Sequence, residues 1–191
     1  MDYTENIRQS LSQRFSHLNN LFIVDSTPVE ICKISRAKRS NICAKEKNQP
    51  TFGYCTAENT HYFGYKLHLV CDENAVVHSF DFTPANVHNV NHLKDIKHSF
   101  QNGELIGDRA YISANYQADL FNQSQLKLSV PICSNSLNPA EFSALKRRKR
   151  KRIETLISQL DGQFSMSINF AKTFDGLATR IVSKITTITM I

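Results

Sequence analysis

The sequence predicts an α/β fold, a mixed sheet flanked by helices, and three observations carry that expectation. Short apolar runs bounded by turn residues at 21–25, 105–108 and 126–132 have the length and composition of buried strands. Two alternating segments, 62–71 and 75–82, read as an antiparallel hairpin turned at Asp72-Glu73-Asn74. Between and after these runs lie stretches with helical periodicity, so crossover helices join parallel strands on one side of the sheet while the hairpin extends the other.

In chain order, residues 1–20 form a short N-terminal helical segment in which Ile7, Leu11, Phe15 and Leu18 recur at helical spacing; residues 21–191 read as one domain. The first strand covers 21–25 and runs straight into Asp25, followed by a Ser26-Thr27-Pro28 turn. Residues 33–52 carry Lys33, Arg36, Lys38, Arg39, Lys45 and Lys47 among few apolar residues, the composition of a mobile basic loop, either a solvated linker or a flap that contacts DNA. After the hairpin, Thr83-Pro84-Ala85-Asn86 opens a helix to about Lys97, with Val87, Val90, Leu93 and Ile96 on one face. Gln101-Asn102-Gly103 turns into a strand ending at Asp108. A helix near 113–122, a strand from Leu126 to Ile132 with Pro131 near its end, a loop over 133–139 and a long helix over 140–161 complete the pattern.

The 191 residues fit one domain with a single core, and a hydrophobic content of 41% is ordinary for a globular chain. A net charge of +6 and a pI of about 9.1 point to a polyanionic partner. No apolar run approaches a membrane span and the N-terminus lacks a signal-peptide core, so no membrane partner and a cytoplasmic location, nucleoid-associated only when bound to DNA, are expected. Cys32, Cys43, Cys55, Cys71 and Cys133 are widely spaced without a C-x-x-C pair, which argues for reduced thiols. His88 and His92 lie four apart and could share a metal. No further ligand clusters near them in sequence, so they read as surface histidines.

The chemistry concentrates in three carboxylates. Asp25 and Asp108 each end an apolar strand, where a carboxylate is costly unless something pairs with it. Glu154 lies on the last predicted helix, beyond the run of basic residues from Lys146 to Arg152, with Ile153, Leu156, Ile157 and Leu160 as its buried stripe. Mg²⁺ takes hard oxygen ligands through few carboxylates, and two such ions can serve both the attacking and the leaving oxygen of a phosphodiester. Asp25, Asp108 and Glu154 are therefore the candidate catalytic residues and ligands of Mg²⁺ or Mn²⁺. Arg150 lies one helical turn before Glu154 on the same face, placed to orient the carboxylate and meet a phosphate. Lys66, Arg109, Arg147, Arg148, Arg150 and Lys151 are the candidate DNA contacts, and Lys66 shares its strand face with His68.

The element order resembles the ribonuclease-H-like fold, in which the first and fourth strands lie side by side and would bring Asp25 to Asp108. More specifically, the chain resembles the catalytic domain of bacterial insertion-sequence transposases of the DDE type. The likeness rests on Val24-Asp25-Ser26-Thr27-Pro28, Phe63-Gly64-Tyr65-Lys66-Leu67-His68, Thr83-Pro84-Ala85-Asn86-Val87-His88, Gly107-Asp108-Arg109-Ala110-Tyr111, and Arg150 with Glu154, in order from about residue 20 onward. Phe174-Asp175-Gly176-Leu177-Ala178-Thr179-Arg180 resembles the helix that follows the glutamate in such enzymes. The resemblance implies a divalent metal, cleavage and rejoining of DNA at element ends and target, self-association on DNA, and Asp25, Asp108 and Glu154 as the triad. Three positions depart from it. Asn89 stands where relatives often carry aspartate, Arg147 stands where they often carry tyrosine, and the N-terminal helical DNA-binding region usual before the first strand is not matched. The last departure leads us to expect a shortened copy or one product of an interrupted gene. Two rival readings are a ribonuclease-H-like nuclease that cuts without joining and a non-catalytic DNA-binding remnant.

Overall fold

The computed structural model describes residues 2–15, 20–131 and 142–190. Its centre is a six-stranded mixed sheet built from β1 (Leu21–Glu30), β2 (Thr51–Cys55), β3 (Thr60–Asp72), β4 (Val77–Pro84), β5 (Gly103–Ile106) and β6 (Leu126–Ser129). The order across the sheet is β2-β3-β1-β5-β6, with β4 also on β3. β1 and β5 are parallel neighbours, as expected, with Ile23 opposite Ile106. β3 is long because its second edge serves two partners: β2 pairs with Thr60–Gly64 and β4 with Tyr65–Cys71. At the changeover, Gly64 crosses against β1 so closely that a Cβ there would lie 2.1 Å from the Val29 carbonyl oxygen. No side chain fits that gap, which explains a glycine inside a strand.

Among the described residues five α-helices cover the sheet: α1 (Asp2–Phe15), α2 (Leu93–Ser99), α3 (Ala114–Ser124), α4 (Ala144–Gly162) and α5 (Phe174–Met190). Period-two alternation divides the sheet's residues between two cores. Ile23, Leu67 and Leu69 face Ile153, Leu156 and Leu160 of α4 and Leu177, Ile181 and Ile185 of α5. Val24, Val70 and Leu105 face Leu93 and Ile96 of α2 and Leu120 of α3. The alternation puts Asp25 on the α4 side and Ser26 with His68 on the α2 side.

Several boundaries differ from the sequence expectations. β1 does not turn at Ser26-Thr27-Pro28 but continues to Glu30, with Pro28 opposite Lys66. Since β5 flanks only Leu21–Ile23, the outer half of β1 has a free edge, where a missing N–H costs no ladder bond. The basic stretch 33–52 is not a free loop. It holds a 3₁₀ helix (Ile34–Arg39) with Ala37 buried, the buried Cys43 N–H donates to the Lys172 carbonyl at 3.2 Å, and the Tyr65 hydroxyl donates to the Asn48 carbonyl at 3.0 Å. β2 follows directly and was not expected. The predicted helix from Thr83 begins late: β4 runs to Pro84, then come a turn, a 3₁₀ helix (Asn89–His92) and α2. His92 is buried at 2% exposure, not a surface histidine, whereas His88 is exposed.

The N-terminal helix exists and packs on α5, but its most buried positions are Arg8 and Ser12. Arg8 is satisfied there by Glu5 at 2.6 Å and the Val77 carbonyl at 2.6 Å, with its guanidinium over the Phe80 ring. Leu18, Ile132, the loop 133–139 with Cys133, and the expected start of the long helix at 140 lie outside the described residues. The four described cysteines are free, as expected. No helix among the described residues is long and apolar enough to cross a membrane.

Candidate active site

The parallel β1–β5 ladder ends at Ile23 and Ile106, and two residues beyond each partner the backbone reaches Asp25 and Asp108. Matched strand ends thus carry the two carboxylates to the same end of the sheet, where ligands of open α/β sheets gather. Gly107 leads into Asp108 because a Cβ would press on Val24 and Tyr111 at 3.3 Å. Asp108 then caps the 3₁₀ turn Arg109–Tyr111, its carboxylate accepting from Ala110 N–H at 3.0 Å. α4 crosses the same face, held by Ile153, Leu156 and Leu160, and this brings Arg150 and Glu154 to the strand ends. The two form an i,i+4 ion pair at 2.7 Å.

These groups line one cleft of about 610 Å³ that contains Asp25, Asp108, Glu154, Arg150 and Lys66. Ser26, Asn89, Tyr54 and Tyr62 line it as well. Burial pushes the Asp25 carboxyl from 3.8 up to about 6. The Ser26 N–H, donating at 2.7 Å, opposes the rise, the Asp108 charge adds to it, Arg150 opposes it and Glu154 adds to it. Burial also raises Asp108, against the Ala110 N–H and the charges of Arg150 and Lys66. Carboxylates that converge from three elements and offer hard oxygen donors in one cleft fit a bound divalent cation.

Lys66 reaches the cleft from β3. Its ammonium donates to the Val87 carbonyl at 2.9 Å and to Asn89 Oδ1 at 2.8 Å, while the Asn89 amide donates to Ser26 Oγ at 2.8 Å. Desolvation lowers the Lys66 pKa, and Asp108 partly offsets this. Asn89 therefore ties the lysine to the residue next to Asp25. Behind this layer His68, fully buried, contacts Thr83 Oγ1 at 2.9 Å and the Tyr111 hydroxyl at 3.4 Å. Burial, helped by the neighbouring His92 and Lys66, drives His68 down to about 3, so its ring is neutral at physiological pH.

The structure thus gathers Asp25, Asp108, Glu154, Lys66 and Arg150. The remaining predicted contacts lie outside the cleft lining: Arg109 is exposed on the turn after Asp108, and Arg147, Arg148 and Lys151 are exposed on α4. Ser26, Tyr54 and Tyr62 join the site without having been expected there. Only the Thr83–His88 stretch and its neighbour Asn89 signalled that a turn from another element would enter it.

A mixed sheet with this strand order and flanking helices makes the chain a ribonuclease-H-like α/β protein. Within that class it belongs to the Transposase DDE domain family, whose model matches residues 15–172. No curated protein and no solved structure matches the chain.

Proposed function

We propose that this chain is the catalytic domain of an insertion-sequence transposase that cuts DNA at element ends and joins the freed strand to target DNA. The observation that supports it best is the convergence of Asp25, Asp108 and Glu154 in one cleft with Arg150 and Lys66. The three carboxylates would hold Mg²⁺ or Mn²⁺, which when bound supplies Lewis-acid stabilisation of the attacking and leaving oxygens. The chain's own groups do the rest. Arg150 holds Glu154 toward the cleft and offers its remaining guanidinium N–H groups to a phosphate. Asn89 fixes Lys66, so the ammonium enters the cleft at a set position rather than as a mobile charge. The exposed cations Arg109, Arg147, Arg148 and Lys151 attract the backbone on either side. Copies are expected to associate on DNA, because two element ends must meet.

The test is incubation of the purified chain with labelled end-bearing DNA, unlabelled target DNA and Mg²⁺ or Mn²⁺. A joined product supports the proposal. Cleaved but unjoined ends would make the chain a nuclease, and binding without cleavage would make it a non-catalytic DNA-binding protein.

A further inference from the structure

A second cluster of metal-binding side chains lies away from the cleft. In the β3–β4 ladder His68 is opposite Asp81. The His92 ring stacks on His68, centroids 4.7 Å apart and planes within 24°, which sets His92 over the strand pair beside Asp81. Asp95 follows three residues on, one helical turn along the same face. One ligand atom from each of Asp81, His92 and Asp95 falls within 4.8 Å of the other two. None of the three lines the cleft of Asp25 and Asp108.

His92 is what distinguishes this cluster from a group of surface carboxylates. It is 2% exposed, yet neither ring nitrogen has a hydrogen-bond partner among the described residues. Its Nδ1 points at Asp81 Oδ2 from 3.8 Å, too far for a hydrogen bond. A buried imidazole with no hydrogen bond at either nitrogen is costly unless something else binds it. A shared metal accounts for the spacing. With bonds of about 2.0–2.2 Å, two ligand atoms on a tetrahedral ion lie roughly 3.4 Å apart. Closing the Asp81–His92 pair from 3.8 Å takes a few tenths of an ångström, and the other pairs, within 4.8 Å, can close by rotation of the exposed Asp95 and of the Asp81 side chain, 46% exposed. The exposed carboxylates also leave a solvent path for an ion to enter.

We propose that Asp81, His92 and Asp95 form a second divalent-metal site, of the zinc class, that clamps the turn Asn89–His92 onto β4. An imidazole with two carboxylates suits Zn²⁺ or Co²⁺ better than Mg²⁺, which prefers oxygen alone. Three protein ligands leave a fourth position for water. The role is structural: the clamped turn carries Asn89, whose amide orients Lys66 and Ser26 in the cleft.

The test uses the full chain carrying D25N, D108N and E154Q, so that the cleft carboxylates cannot compete and the outcome does not depend on the proposed DNA chemistry. This protein is titrated with Co²⁺ and followed by visible absorption. One equivalent should bind with the band pattern of nitrogen and oxygen ligands and no thiolate charge-transfer band. Adding D95N, or separately H92Q, should weaken binding by at least about tenfold, since even groups that only support a ligand are worth about that much. Asp95 is exposed, so D95N leaves the packing intact and remains informative if H92Q misfolds. Absence of Co²⁺ uptake, uptake unchanged by D95N, or a thiolate band that assigns the ion to cysteines would each overturn the proposal.

Discussion

Asp25→Asn should stabilise the metal-free protein while disabling it. The native state holds this carboxyl at about 6 against an ordinary 3.8, chiefly through burial. Because the folded pKa is raised, the native state binds more protons than the unfolded chain between those values, and stability falls as pH rises through that window. The cost is absent below about pH 4 and complete above about pH 6. Roughly two units correspond to about 3 kcal/mol, and partial solvent access reduces the expectation to about 2 kcal/mol. Asparagine keeps the oxygen that accepts the Ser26 N–H and removes the charge. Urea unfolding with a chelator present should therefore show the Asn variant about 2 kcal/mol more stable at pH 8, with the gap closing by pH 4. Mg²⁺ should stabilise the wild type and have much less effect on the variant. A variant no more stable than wild type at pH 8, or a gap independent of pH, would refute the burial argument.

Asp25→Asn, Asp108→Asn and Glu154→Gln should each abolish metal-dependent cleavage yet retain or strengthen DNA binding, measured by gel shift beside a cleavage assay; a variant cutting at the normal rate excludes that carboxylate as a ligand. Arg147→Gln with Lys151→Gln should flatten the slope of log affinity against log salt by about two, equally for element-end and random DNA, because each phosphate contact contributes close to one unit. Gly64→Ala should destabilise the fold by more than about 2 kcal/mol in thermal unfolding, since its Cβ would meet the backbone of β1 and neither strand can withdraw without breaking pairs.

The apolar runs marked Asp25 and Asp108 each as a strand end, and the resemblance to the ribonuclease-H-like fold, which sets those two strands side by side, made their meeting legible. The helix of Glu154 was legible from its stripe of Ile153, Leu156, Ile157 and Leu160. β2 was hidden because its large residues are turned outward: Phe52 and Tyr54 are about half exposed and Gly53 interrupts the pattern. The helix expected from Thr83 failed because Leu93 and Ile96 do carry helical spacing, while the preceding residues obey a different constraint, pairing with Tyr65 and Lys66 on β3. The basic stretch 33–52 appeared loose because its anchors are remote, with Cys43 bonded to Lys172 and Glu46 accepting from Phe174 N–H at 3.3 Å. Nor could spacing alone reveal that His92 is buried, since that follows from stacking on a histidine of another strand.

The basic run of α4 divides into two faces with different surroundings. Read as a sequence, Lys146 to Arg152 is uniform charge. On the helix, the buried stripe of Ile153, Leu156 and Leu160 extrapolates backward in steps of three and four to Arg150, Lys149 and Lys146. Those three cations are the ones with partners: Lys146 pairs with Glu104 and Ser129, Lys149 with Glu73 at 2.5 Å, and Arg150 with Glu154. They continue the docking face in polar form, their apolar stems lying toward the sheet and their charges meeting acids at its margin. Such pairs are only partly buried and contribute little individually, so their effect is mainly to fix the angle at which α4 crosses the strand ends. Arg147, Arg148, Lys151 and Arg152 are exposed and have no ion pair among the described residues. Four outward cations at helical spacing repel one another in the free protein, and a phosphate backbone relieves that repulsion. On the proposed reading, the helix that delivers Glu154 to the cleft also carries the charge that would hold DNA beside it.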